Sequence, residues 1–219
     1  MGLGGYLCWT AAAREIRKLT GDNIKMLPVE QHGNFLKLIN SPVFYNNNDF
    51  AAAGEANQMV LPLVLNNSRA NYCKVDLPER AVHRTERHII QQICECYGIE
   101  NPELKCRINL TEEENLFAKK IHDSRLKGRP FLTIEPFSKS NYTPNRNYPF
   151  EKWQKIVNRL SSEIDFVQVG NPGKVLNNVV NMTGKTSFRE AVALISKSSL
   201  FLATESGLVH AATAVMNFF

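Results

Sequence analysis

The chain has 219 residues, 43% hydrophobic and 21% charged, a globular balance with room for one large domain or two small ones. A net charge of +5, carried by scattered Lys and Arg, suits an anionic substrate or membrane surface and is too diffuse for DNA or RNA. Cys8, Cys73, Cys94, Cys96 and Cys106 are odd in number and contain no CxxC pair, which argues against a disulfide framework or zinc knuckle and for a reducing compartment. No apolar run approaches the ~20 residues of a membrane span, and Met1-Gly2-Leu3-Gly4-Gly5 does not read as a signal peptide.

In chain order, a glycine-rich loop at 2–5 is expected to open into a helix over 9–19, stopped by Thr20-Gly21-Asp22. Ile24–Val29 reads as a buried strand and 30–39 as a second short helix. Residues 41–78 are rich in Asn and hold three prolines, so they read as loop with one strand at Met59–Leu65. A helix is expected over 81–97, ended by Gly98, and another over 111–125, where Thr111 and Glu114 have capping-box spacing. Lys127-Gly128-Arg129-Pro130 reads as the junction between two units, 1–127 and 128–219.

Beyond the junction the pattern is regular: strand 131–134, helix 150–160, strand 166–169, short strand 179–180, helix 187–195 with Ser187 and Glu190 as a second capping box, strand 200–203, and a helix from Gly207. Strands alternating with helices predict an α/β fold with a parallel sheet. Right-handed crossovers then set every strand's carboxyl end on one edge. A glycine-rich loop with no strand before it, and a last helix with no strand after it, lead to the expectation that the fold is incomplete at both ends.

Ligands of open α/β sheets bind outside the carboxyl ends of strands. Three loops qualify: 135–149, 170–173 and 204–207. Ser206-Gly207 at a helix mouth offers backbone N–H groups and the positive end of a helix dipole, which suits a phosphate, with Arg146 or Lys139 as added charge. Taken singly, Ser206-Gly207 is also an ordinary N-cap and Gly170-Asn171-Pro172-Gly173 an ordinary turn.

Three segments in order carry a resemblance. Residues 181–214, from Asn181-Met182-Thr183-Gly184-Lys185 through Thr204-Glu205-Ser206-Gly207 and His210 to Ala214, are similar to the heptosyltransferase signature "nltGktsLrelaaliaradlfvtnDSGpmHlAaA". Asn145–Trp153 resembles its "KrWp-x-e-x-f" segment and Gly2–Arg14 its "GLGDvllttPalR". The resemblance to glycosyltransferase family 9 implies two Rossmann-like domains facing across a cleft (GT-B type). It also implies an inverting transfer of a sugar, usually a heptose, from a nucleoside diphosphate to a lipopolysaccharide core or other envelope glycan acceptor. The expected partners are thus a nucleoside-diphosphate sugar and a glycan or glycolipid acceptor, with no nucleic acid, no cofactor and no metal. The expected place is the cytoplasm, with peripheral contact at the inner face of the membrane.

Position by position, the resemblance assigns Arg146 to the donor diphosphate, Glu205 to the donor sugar hydroxyls, and Ser206, Gly207 and the following amides to the phosphates, with His210 at the family histidine. Ser138 and Lys139 belong to the same donor loop. The chain departs from the pattern in two loops. Gly5 stands where the family has its catalytic aspartate, and glycine cannot take a proton from an attacking hydroxyl, so no catalytic residue is assigned. The "hPGAs" loop reads Glu135-Pro136-Phe137-Ser138, and a carboxylate beside a diphosphate repels it unless protonated or screened. The alternative is therefore an inactive sugar-nucleotide-binding relative or scaffold.

Other motifs are weaker. His83 and His88 are five residues apart and do not share a helix face well, and HExxH spacing is absent. Gly2-Leu3-Gly4-Gly5 lacks the third glycine of GxGxxG, and Gly184-Lys185-Thr186 lacks the upstream glycine of a P-loop.

Overall fold

The computed structural model describes residues 2–21, 23–52, 59–66, 73–77, 80–83, 87–137 and 148–216. It is a mixed α/β chain that divides into two compact units, Met1–Asn109 and Leu110–Phe219.

The first unit opens on α1 (Leu3–Thr20), which already includes Gly4 and Gly5. The expected glycine loop is thus the first turn of the helix, closed by Tyr6 N–H donating to Gly2 O at 3.1 Å. Burial of Leu7, Cys8, Trp9 and Ala11–Ala13 anchors the helix, and that packing outweighs the ~1 kcal/mol that each helical glycine costs. β1 (Ile24–His32) forms as expected, but 33–39 is not helix: β1 returns through Gly33-Asn34 into β2 (Phe35–Leu38), antiparallel, with His32 opposite Phe35. Gly33, at φ +59°, supplies the left-handed first position of a two-residue hairpin loop, a turn signal that overrides the helical reading. β3 (Met59–Val64) pairs parallel to the other side of β1.

Residues 80–83 likewise form a strand, β5 (Arg80–His83), antiparallel to β4 (Cys73–Leu77). Of the expected helix 81–97, the described residues keep α2 (Ile89–Glu95), capped by His88 Nδ1 accepting from Ile90 N–H at 3.2 Å. Ladder pairing decided this segment where local propensity did not. Asp49, nearly fully buried, is clamped by Arg17 at 3.1 Å and Arg107 at 2.9 Å.

The second unit follows the sequence pattern closely. α3 (Glu112–Leu126) and α5 (Phe188–Lys197) both start at complete capping boxes, Thr111 with Glu114 and Ser187 with Glu190. Between them lie β6 (Phe131–Glu135), α4 (Phe150–Leu160), β7 (Asp165–Gln168) and β8 (Val180–Asn181), and β9 (Leu200–Ala203) and α6 (Gly207–Val215) close the order. The sheet runs β8-β7-β6-β9 with every pairing parallel. Its core gathers Leu132, Ile134, Trp153, Val157, Phe166 and Leu176. α3 packs on α5, so the division lies at 109/110, one helix before the expected 127/128 junction. No helix among the described residues is long and apolar enough to cross a membrane.

The α3–α5 contact centres on a bidentate ion pair, Arg189 Nε and Nη2 to Glu114 Oε1 and Oε2 at 2.5 and 2.9 Å, with side chains only 6% and 14% exposed. Glu114 Oε2 also accepts from Thr111 N–H at 2.8 Å, so one carboxylate fastens both the cap and the helix pair. Removing one member strands a buried charge. Arg189→Met is expected to cost about 3 kcal/mol in urea unfolding of the full chain, and adding Glu114→Gln to it should recover part of that loss. A double variant as unstable as the single one would show that the stranded charge is not the cause.

Candidate functional site

The strand order defines where a ligand can sit. From β6 the chain passes through α4 to β7 on one side, then through α5 to β9 on the other side of β6. The order reverses between β6 and β9, and all strands end on one edge, the position where open α/β sheets bind ligands.

Glu135, the last residue of β6, lies at this point. It is 5% exposed, with Thr204 N–H donating to its carbonyl at 3.1 Å. Its carboxyl Oε2 accepts a hydrogen bond from Ser206 Oγ. The same Ser206 Oγ accepts from Leu208 N–H at 3.1 Å, making Ser206 the N-cap of α6. On the β7 side, Gly170 leaves the carboxyl its space: a Cβ there would come within 3.2 Å of Glu135 Cγ and 3.3 Å of Oε1. Gly170 also sits at φ +111°, a backbone conformation that side chains rarely adopt. Burial pushes the Glu135 carboxyl up to about 7, against the Ser206 hydrogen bond, which pulls it down. Thr204 Oγ1 is buried beneath the same loop with no hydrogen-bond partner among the described residues.

Of the sequence-predicted residues, Glu205, Ser206 and Gly207 stand together at the mouth of α6, and His210 lies one turn further along it. Glu205 is exposed; Ser206, Gly207 and His210 are half-buried. With Leu208 N–H taken by the Ser206 hydroxyl, Gly207 and Val209 N–H remain without acceptors inside the helix. Ser138, Lys139 and Arg146 lie outside the described residues.

Gly184 has a packing role: at φ +66°, a Cβ would fall 2.6 Å from Pro172 Cγ, so Gly184-Lys185-Thr186 is a tight turn against the 170–173 loop. Sequence reasoning noted Glu135 only as a departure, not as a member of the site. The acid that ends the apolar run 131–134 marks the spot, but nothing local in the sequence ties it to Ser206.

A parallel sheet with a switch point and a capped helix mouth at its carboxyl edge defines an open α/β unit of the kind that takes ligands beyond its strand ends. Residues 53–217 match glycosyltransferase family 9 (heptosyltransferase), and the chain belongs to that family. The glycosyl transferase family 9 structure from Veillonella parvula DSM 2008 aligns at 16% identity and TM-score 0.52, over 59% of this chain and 41% of that one. The iron-containing dodecameric glycosyltransferase TibC from enterotoxigenic E. coli H10407 aligns at 12% identity and TM-score 0.58, over 98% of this chain and 54% of that one. The chain thus spans about half the length of these structures. A search of curated protein sequences finds no match.

The buried carboxyl gives stability a pH dependence of definite sign. Below about 4.5 Glu135 is protonated in both folded and unfolded chains and contributes nothing. Between about 4.5 and 7 the unfolded chain ionises first, so stability falls with rising pH and levels off above that window. Glu135→Gln keeps an acceptor for Ser206 and is expected to match the parent at pH 4 while gaining roughly 3 kcal/mol at pH 8 in denaturant unfolding. Equal gains at both pH values would mean that the carboxyl ionises normally in the fold.

Proposed function

We propose that this family 9 chain takes a nucleoside-diphosphate sugar as donor, with the diphosphate at the mouth of α6. The observation that carries the reading is the Ser206-capped helix start at the β6/β9 switch point. Backbone N–H groups of Gly207 and Val209, backed by the helix dipole, suit pyrophosphate oxygens. In this reading Glu205 meets the donor sugar hydroxyls, His210 flanks the phosphates, and Ser138, Lys139 and Arg146 supply further donor contacts. The reaction is transfer of a hexose or heptose, with inversion, to a glycan or glycolipid acceptor in lipopolysaccharide or other envelope glycan assembly. We place the protein in the cytoplasm, in peripheral contact with the inner face of the membrane, as part of a GT-B architecture with an acceptor-side domain in the first unit, Met1–Asn109, and a nucleotide-sugar domain in the second, Leu110–Phe219.

Titration calorimetry of the full chain with ADP- and UDP-sugars is expected to show saturable binding that Gly207→Pro weakens at least tenfold, because proline deletes a donor at the helix mouth. No binding of any of these sugars removes the reading.

A second reading, an inactive sugar-nucleotide-binding relative, is favoured by Gly5. The third position of α1 holds no side chain that could accept a proton, and α1 has no acidic residue in its first turn. An aspartate suits that place, since a carboxylate at a helix N-terminus complements the dipole. Gly5→Asp is therefore expected to fold and to raise sugar transfer or donor hydrolysis above the parent's level, measured by release of the nucleoside diphosphate. Full turnover in the parent chain would count against the inactive reading.

A further inference from the structure

We propose that Glu135 gates the donor site by its protonation: a nucleoside-diphosphate sugar binds while the carboxyl is neutral and is turned away once it ionises. This rests on the donor site proposed above and adds its regulation by pH.

The geometry links the carboxyl directly to the helix mouth. One oxygen, Oε2, accepts from the Ser206 hydroxyl, and that hydroxyl in turn accepts from the Leu208 N–H of α6. The Ser206 hydroxyl therefore joins the carboxyl to the cap of α6, next in sequence to the Gly207 and Val209 N–H groups offered to a phosphate. On the other side Gly170 leaves the carboxyl its space, where any side chain would crowd it. At 5% exposure it has little water to solvate a charge.

The surrounding elements bring no compensating cation among the described residues. β6 itself offers Thr133, β7 and its loop Gln168 and Gly170, and the β9 loop Thr204 and Ser206. Gln168 is occupied elsewhere, donating to Lys174 O at 2.9 Å and accepting from Leu176 N–H at 2.8 Å. The titratable side chains carried by these loops and by α6 are Lys174, Glu205 and His210, and none of them shifts Glu135; burial and Ser206 alone do. An ionised Glu135 would thus hold a negative charge one hydroxyl away from the α6 cap where the anion is proposed to sit, whereas a protonated one is neutral and has an O–H to donate.

The experiment is calorimetric titration of the full chain with ADP-glucose and UDP-glucose, whose diphosphate esters keep a constant charge over the range used. Parent and Glu135→Gln are compared from pH 5.5 to 8.5 with EDTA present, and thermal melts check folding at each pH. Parent affinity is expected to fall about tenfold between pH 6 and 8, and binding at pH 8 to take up close to one proton, read from two buffers of different ionisation enthalpy. Glu135→Gln is expected to bind with pH-independent affinity and no proton uptake. Parent binding that does not change with pH overturns the gate and leaves the donor site standing, as does the same pH dependence in Glu135→Gln. Absence of binding by both proteins at every pH instead removes the donor site itself, and the gate with it.

Discussion

The second unit turns on a carboxyl group buried where three parallel strands meet a helix start. β6 is flanked by β7 on one side and β9 on the other, so the residue that ends it is covered from both sides before any ligand arrives. Glutamate at such a place loses most of its hydration, and the cost is limited by one hydrogen bond from Ser206 and by the clearance that Gly170 provides. Gly170 and Ser206 have local roles as turn and cap, but each also answers to this group. The site is accordingly one object shared by the 135, 170 and 204–207 loops.

That object is held in place by ordinary α/β architecture. Four parallel strands align their carboxyl ends, and the return from β8 through α5 to β9 opens the crevice beside β6. The position of α5 is fixed in turn by Ser187 at its start and by Arg189 against Glu114 on α3. Glu114 serves twice, as the reciprocal member of its own capping box and as the anion of the buried pair. The chain from sequence to site thus runs through two capping boxes, one ion pair and a strand order.

How much of this was legible in the sequence differs by unit. In the second, helix starts announce themselves through Thr111/Glu114 and Ser187/Glu190, and the buried strands are short apolar runs between turn residues, so β6, β7, β9, α4 and α5 could be read almost in place. In the first unit the deciding interactions are not local. Residues 35–38 became strand because Gly33 turns the chain back on β1, and 80–83 because β4 lies beside them, partners that a helical periodicity count cannot see. Gly4 and Gly5 read as loop by propensity, yet the buried face of α1 carries the helix through them. For the site, the start of α6 at Ser206-Gly207 was readable from motif and spacing. Glu135 was not readable as a participant, because its meaning comes from Ser206, 71 positions away.

The family pattern sharpens what Glu135 implies. Where the resemblance leads one to expect histidine, the chain carries an acid in a place that destabilises the folded state once the pH exceeds the range of an ordinary carboxyl. A neutral side chain of the same length would keep the Ser206 contact without that penalty. Local rules are broken in folded proteins chiefly where a site requires it, and this violation occurs at the one edge where the sheet topology invites a ligand. Gly5 has no comparable signature: it sits in a regular helical turn and carries no strain. The two departures are therefore different in kind. Gly5 leaves a position of the first unit without a side chain, whereas Glu135 places an ionisable group at the ligand-facing edge of the second, and the second unit is the part of this chain where chemistry should be sought.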